Sequence, residues 1–185
     1  DIFGWTMPAS YFQSFNPVFV VVFAPLMSWL WLKLGSKNME PASPTKQAMG
    51  LFLLSVGYLV IALGVHGVEP GVKVSIMWLT GLYFIHSMGE LMLSPIGLSM
   101  VNKLAPIRFA SLLMGIWYLS MATANKFAGM LSGLYPEAGK PKSFIGFEIA
   151  TMYDFFMLFV IISGVAAVIL FGLSKWLQKL MHGVR

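Results

Sequence analysis

Apolar residues gather into five long runs along the chain, over about residues 11–32, 46–65, 74–101, 109–135 and 149–175, with short polar stretches between them. As an α-helix each run is long enough to cross the roughly 30 Å hydrocarbon core of a bilayer, which takes about 20 apolar residues. A backbone in lipid has to satisfy its own hydrogen bonds, and no ladder of short alternating segments offers a barrel instead. The pattern therefore predicts an all-α membrane protein, a helical bundle. The third run is the longest: the 29 residues between Lys73 and Lys103 would measure about 44 Å as a helix, so it has to tilt or protrude.

Within the runs, small and cyclic residues carry the finer expectations. Gly50, Gly57 and Gly64 stand seven apart in the second run, a spacing that lets a neighbouring helix approach closely. Pro17 and Pro25 in the first run and Pro95 in the third each remove a backbone donor and predict bends. Trp29 and Trp31 suit anchors at the far end of the first run, and Trp5 with Pro8 in the opening residues suits an interfacial lead-in.

Composition agrees with the pattern: 58% of the 185 residues are hydrophobic and 10% charged, far from the balance of a soluble domain. The net charge of +5 does not point to nucleic acid, because the basic residues sit in short loops, where they set orientation. Eight of them (Lys33, Lys37, Lys46, Lys103, Arg108, Lys175, Lys179 and Arg185) fall on one side of the predicted bundle and three (Lys73, Lys140 and Lys142) on the other. The carboxy terminus is thereby expected in the cytoplasm and the amino terminus outside. The chain begins at Asp1 with no start methionine and no signal-peptide pattern, so at least one further helix is expected before it. With no cysteine there is no disulfide and no thiolate metal site, and three scattered histidines predict no metal site.

Chemistry concentrates in the third run. Glu90 is a carboxylate near the middle of an apolar helix, where ionisable groups are costly and persist mainly because they act. At about 100° per residue His86, Glu90 and Ser94 share one stripe, which Gly97 continues, and Pro95 follows directly. The residues alone leave open a purely structural carboxyl at Glu90 and an ordinary helix-end or turn-capping role for Asn16. Lys126, in the fourth run, is open between lifting its ammonium to the interface, an ion pair with Asp154, and a substrate role.

The stretches Phe12-Gln13-Ser14-Phe15-Asn16-Pro17, Glu90-Leu91-Met92-Leu93-Ser94-Pro95-Ile96-Gly97-Leu98, Lys103-Leu104-Ala105-Pro106, Met114-Gly115-Ile116-Trp117-Tyr118-Leu119 and Asn125-Lys126-Phe127-Ala128-Gly129 together resemble the proton-dependent oligopeptide transporters, the peptide-carrying branch of the major facilitator superfamily. The resemblance covers nearly the whole chain. It implies the eighth to twelfth helices of a twelve-helix fold, and a symporter that imports di- and tripeptides with protons by alternating access, without a cofactor. The short link after Val65 is similar to bacterial members, which places the protein in the cell inner membrane. By the same resemblance, Asn16 and Glu90 receive the peptide's amino terminus with Ser94 assisting. Trp117 walls a side-chain pocket and Leu98 is a cytoplasmic-gate leucine. From the residues themselves, a bend at Pro95 and Gly97 would move that leucine without disturbing the carboxylate. The family's Glu-x-x-Glu-Arg-Phe signature, with the lysine and tyrosines that meet the peptide carboxylate, is absent here. These residues carry half a site, whose other half belongs to an amino-terminal helical bundle.

A carboxyl such as Glu90 can hold either a proton or an amine, from which a share in coupling as well as in binding is expected. Two alternatives stand beside this reading. One keeps the fold and changes the cargo to another small solute, although a carboxylate favours an amine-bearing one. The other is a non-transporting membrane subunit or an intramembrane enzyme; His86 and Glu90 lack a convincing triad partner for the latter.

Overall fold

A computed structural model describes residues 9–68, 72, 74–136, 142–144 and 146–181. The lead-in with Trp5 and Pro8, and Glu69, Pro70, Gly71, Lys73, Glu137, Lys140 and Arg185, lie outside the described residues. Among these residues six helices follow one another: α1 (Ala9–Gln13), α2 (Phe15–Ser36), α3 (Ser43–Gly64), α4 (Ile76–Leu104), α5 (Ala110–Ser132) and α6 (Met152–Leu180). A 3-10 turn, Ile107–Phe109, leads into α5. Among the described residues five helices, the first counted as Tyr11–Ser36, are long and apolar enough to cross a membrane.

The first apolar run is broken between α1 and α2 at Ser14. Pro17 accounts for the break, since it cannot donate to the Gln13 carbonyl and its ring crowds that oxygen. It sits instead in the first turn of α2, where an amide hydrogen would lack a partner anyway. Other helices overrun the apolar runs: α2 continues to Ser36, α3 begins at Ser43, α4 reaches Leu104 and α6 reaches Leu180. Helical hydrogen bonding does not stop where hydrocarbon stops, and polar ends such as Lys33 and Lys175 to Leu180 stay helical in water or headgroups. At Pro95 the helix α4 runs through without interruption.

Helix α3 is the hub, packed against α4 on one side and α6 on the other, while α2 lies against α4. The glycines predicted from their spacing make the α3–α4 contact. A Cβ on Gly50 would lie 2.8 Å from the Gly89 carbonyl oxygen, one on Gly57 2.4 Å from the His86 ring and one on Gly64 2.5 Å from the Trp78 ring. On the α6 side, the buried Ser55 hydroxyl donates to the Val160 carbonyl at 2.9 Å. Gln178 donates to Thr45 at 3.1 Å, tying the end of α6 to the start of α3. By contrast α5 touches only α4 and the 3-10 turn among the described elements, and buries no residue.

Two features depart from the expectation of loops. Between α5 and α6 a small antiparallel hairpin pairs Lys142–Phe144 (β1) with Phe147–Ile149 (β2), turning through Gly146 at φ +80°. Its fully buried Ile149 belongs to this strand rather than to the last span, and joins Phe155 and Leu158 in a cluster against which Leu134, Phe144 and Phe147 pack. In the first turn of α3, Lys46 is buried, not solvated: it pairs with Glu40 and lies 4.6 Å from the Trp31 ring centroid.

Candidate functional site

The α2–α4 contact carries the polar chemistry of the chain. Phe15 meets Tyr83 edge-on, and Phe19 and Phe23 do the same to Phe84, which sets the register of the two helices. Asn16 then faces Glu90, 74 residues away in sequence, and its Nδ2 donates to Glu90 Oε2 at 2.9 Å. The turn-capping reading of Asn16 gives way to this contact. Its Oδ1 accepts from the Ser87 hydroxyl at 2.6 Å, and Ser87 also lies 2.8 Å from the Tyr83 carbonyl one turn back.

These groups border a cleft of about 320 Å³ lined by Asn16, Leu54, Tyr83, His86, Glu90, Leu93 and Ser94. The predicted stripe of His86, Glu90 and Ser94 is thus one wall of a cavity. The carboxylate is exposed on the open side of this cleft. The reason is that α2 and α3 cover α4 from two sides and leave the stripe between them open. His86 is held from behind: its Nε2 donates to the Leu54 carbonyl at 3.2 Å, and its ring meets Tyr58 edge-on at 4.5 Å.

Other expected residues stand elsewhere. Trp117 lines a second, almost wholly apolar cavity of about 310 Å³ between α4 and α5, with Met100, Val101, Leu104, Leu113 and Ile116. Its ring covers Gly97, where a Cβ would lie 2.4 Å from Cη2, so the absence of a side chain at Gly97 is explained by this packing. Gly97 is buried and is not among the residues that line the cleft. Leu98 is half-buried two turns beyond Glu90, about 12 Å along the axis, outside the cleft lining.

The pairing of Lys126 with Asp154 is corrected by the start of α6. Asp154 accepts from the backbone amides of Thr151 and Ala150 and from the Thr151 hydroxyl, while Thr151 accepts from the Asp154 amide, a reciprocal cap. That carboxylate is satisfied, and α5 makes no contact with α6. Lys126 is exposed on α5, and no ion pair to it occurs among the described residues. Among those residues no group of three or more metal-ligating side chains gathers either.

Sequence reasoning missed Ser87 and Tyr83. Ser87 stands three residues before Glu90, hence on a neighbouring line of the same helix face, but a lone serine in an apolar helix usually satisfies itself on the preceding turn.

Family comparison fits this arrangement. The family model described as POT family matches residues 1–145, more than half of the chain. The chain belongs to the POT family. It is 36% identical over 182 residues to the uncharacterized transporter YclF of Bacillus subtilis (strain 168), covering 98% of this chain and 34% of that protein. It is 32% identical over 186 residues to the di-/tripeptide transporter of Lactococcus lactis subsp. cremoris, covering 99% and 34%. Among solved structures, a mutant of the peptide transporter POT in complex with alafosfalin superposes with a TM-score of 0.83 at 33% identity, over 99% of this chain and 35% of that one. The chain spans about a third of the length of these POT relatives. It is a multi-pass membrane protein of helical architecture, as the apolar runs predicted.

Proposed function

We propose that this chain supplies the carboxy-terminal part of the central cavity of a proton-coupled symporter that imports di- and tripeptides by alternating access. The observation that carries the reading is the Asn16–Glu90 hydrogen bond at the mouth of a cleft also lined by Ser94. It presents a carboxylate, braced from a second helix, to an open space at mid-membrane depth, which suits the ammonium of a peptide's amino terminus. Glu90 can exchange that ammonium for a proton, giving it a share in coupling. Nothing in this role needs a metal or cofactor; the proton gradient drives transport, and no covalent chemistry is required of the chain.

The remaining assignments extend the same reading. Trp117 walls a side-chain pocket on the α5 side of α4, and Leu98 closes the cavity from the cytoplasmic side as α4 flexes at Pro95 and Gly97. An amino-terminal bundle supplies the peptide-carboxylate half of the site, and Lys126 lifts its ammonium toward the interface. The protein lies in the cell inner membrane with the amino terminus of this segment outside. Seven of the nine described basic residues, Lys33, Lys37, Lys46, Lys103, Arg108, Lys175 and Lys179, lie at one end of the helices, which supports that orientation.

Counterflow of labelled dialanine into proteoliposomes holding the full transporter tests the reading. Uptake that rises with an inward proton gradient and is lost in Glu90→Gln supports it. Counterflow of another amine-bearing solute but not dialanine transfers the site to that cargo, and no counterflow of either leaves a non-transporting subunit.

A further inference from the structure

Ser87 has no assigned role, yet its side chain is fully buried beside the site. A hydroxyl within an apolar helix ordinarily gives its single proton to the carbonyl four residues back, and the Tyr83 carbonyl is there at 2.8 Å. The Asn16 oxygen is nearer, at 2.6 Å, and an amide oxygen can only accept. The proton is therefore directed to, or shared with, α2.

This contact decides which end of the Asn16 amide meets Glu90. The two ends are nearly equal in size, and a half-turn about Cβ–Cγ exchanges donor for acceptor. With Ser87 donating to Oδ1, Nδ2 is aimed at Glu90 Oε2, 2.9 Å away. After the half-turn two acceptor oxygens would face each other at that spacing. Oε1 of Glu90 takes no hydrogen bond among the described residues and borders the cleft, where an ammonium can reach it.

We propose that Ser87 is a positioning residue for amine recognition: its hydroxyl locks the Asn16 amide so that Asn16 braces the Glu90 carboxylate toward the ligand's ammonium. The proposal rests on the reading of Asn16 and Glu90 as the amine half-site. It acts through those two side chains, and Ser87 itself touches no ligand.

The test compares inhibition of labelled dialanine counterflow by unlabelled dialanine and by N-acetyl-dialanine, whose amine is blocked, in the full transporter. Ser87→Ala is expected to shrink the preference for the free amine about tenfold, the worth of one lost hydrogen bond to a charged group's partner, through affinity more than through maximal exchange rate. Ser87→Thr, which keeps the hydroxyl, restores the preference. Ser87→Cys, close in size but a weak donor, is expected to lose it as well and covers the case in which the alanine variant does not fold. The proposal is overturned if Ser87→Ala or Ser87→Cys keeps the full preference, if affinity for both ligands falls equally, or if threonine fails as alanine does. Failure of the underlying reading looks different: Asn16→Ala and Glu90→Gln would then leave the preference intact.

Discussion

Helices α3 and α5 are nearly the same length, 22 and 23 residues, and both are apolar enough to cross a membrane, yet α3 buries nine residues and α5 none. The glycines show what separates them. Those of α3 stand seven apart against α4, with Gly50 and Gly89 bringing two backbones together; Gly115 and Gly129 of α5 have nothing within 4 Å of where a Cβ would sit. Hydropathy commits a segment to the membrane, where lipid tails are as apolar as leucine and offer no reason for helices to associate. Close contact is decided by small residues in register. The comparison breaks most visibly at Gly50. Gly50→Ala puts a methyl group 2.8 Å from both the Gly89 carbonyl oxygen and Leu93 Cγ, so the helices have to part. The expected loss is about 1–3 kcal/mol, seen as a lower thermal midpoint in detergent. Gly89→Ala is expected to match it, because its Cβ meets the Gly50 oxygen at 2.9 Å. An unchanged midpoint in either would mean that the glycine spacing is incidental.

The same distinction explains how much could be foreseen. Five spans and a close-contact face on α3 were legible because hydropathy and residue size act locally along one helix; that α4 fills that face was not. The stripe of His86, Glu90 and Ser94 was legible because it needs only helical periodicity. Which helix Glu90 faces was not, since the Asn16 contact joins residues 74 apart and depends on how α2 leans on α4. Trp117 illustrates the limit well. Its place over Gly97 requires knowing the α4–α5 crossing, and no pattern within either helix encodes that. Resemblance to the transporter family brought Asn16 and Glu90 together before any geometry did, but it was silent on Ser87 and on the Asp154 cap that removes a partner from Lys126.

Buried charge sharpens the contrast next. Lys46 on α3 keeps 9% of its side chain exposed, pairs with Glu40 and covers Trp31. Lys46→Ala is expected to cost about 1–2 kcal/mol, because Glu40, 33% exposed, regains water in part when its partner goes. Lys46→Met keeps the aliphatic stem against Trp31 and is expected to cost less. Midpoints measured at low and high salt should fall by similar amounts, since a pair this enclosed is poorly screened. A loss that vanishes at high salt would place Lys46 on the surface instead.

Where Trp117 of α5 packs on Gly97 of α4, the effect is expected as coupling. Gly97→Ala forces the Trp117 ring aside and is expected to cost about 1 kcal/mol or more. In a Trp117→Ala background the same change has room, so the two substitutions should be non-additive by about 0.5–3 kcal/mol in a double-mutant cycle. Strict additivity would show that the ring does not rest on Gly97. It would also return that glycine to a purely conformational role in α4.

The smallest effects should come from the rest of α5. Residues 121–130 are all exposed, and Lys126 among them is paired with no described residue. Gly115→Ala meets open space, and exchanging glycine for the better helix former should leave stability unchanged or raise it by up to about 1 kcal/mol. Lys126→Met should move the midpoint by no more than about 0.5 kcal/mol. Measured in the full transporter, these two variants test whether α5 is as unpartnered as it is within this segment. A clear loss at Gly115 would mean that another helix seats against it there, through the same small-residue contact that α3 makes with α4.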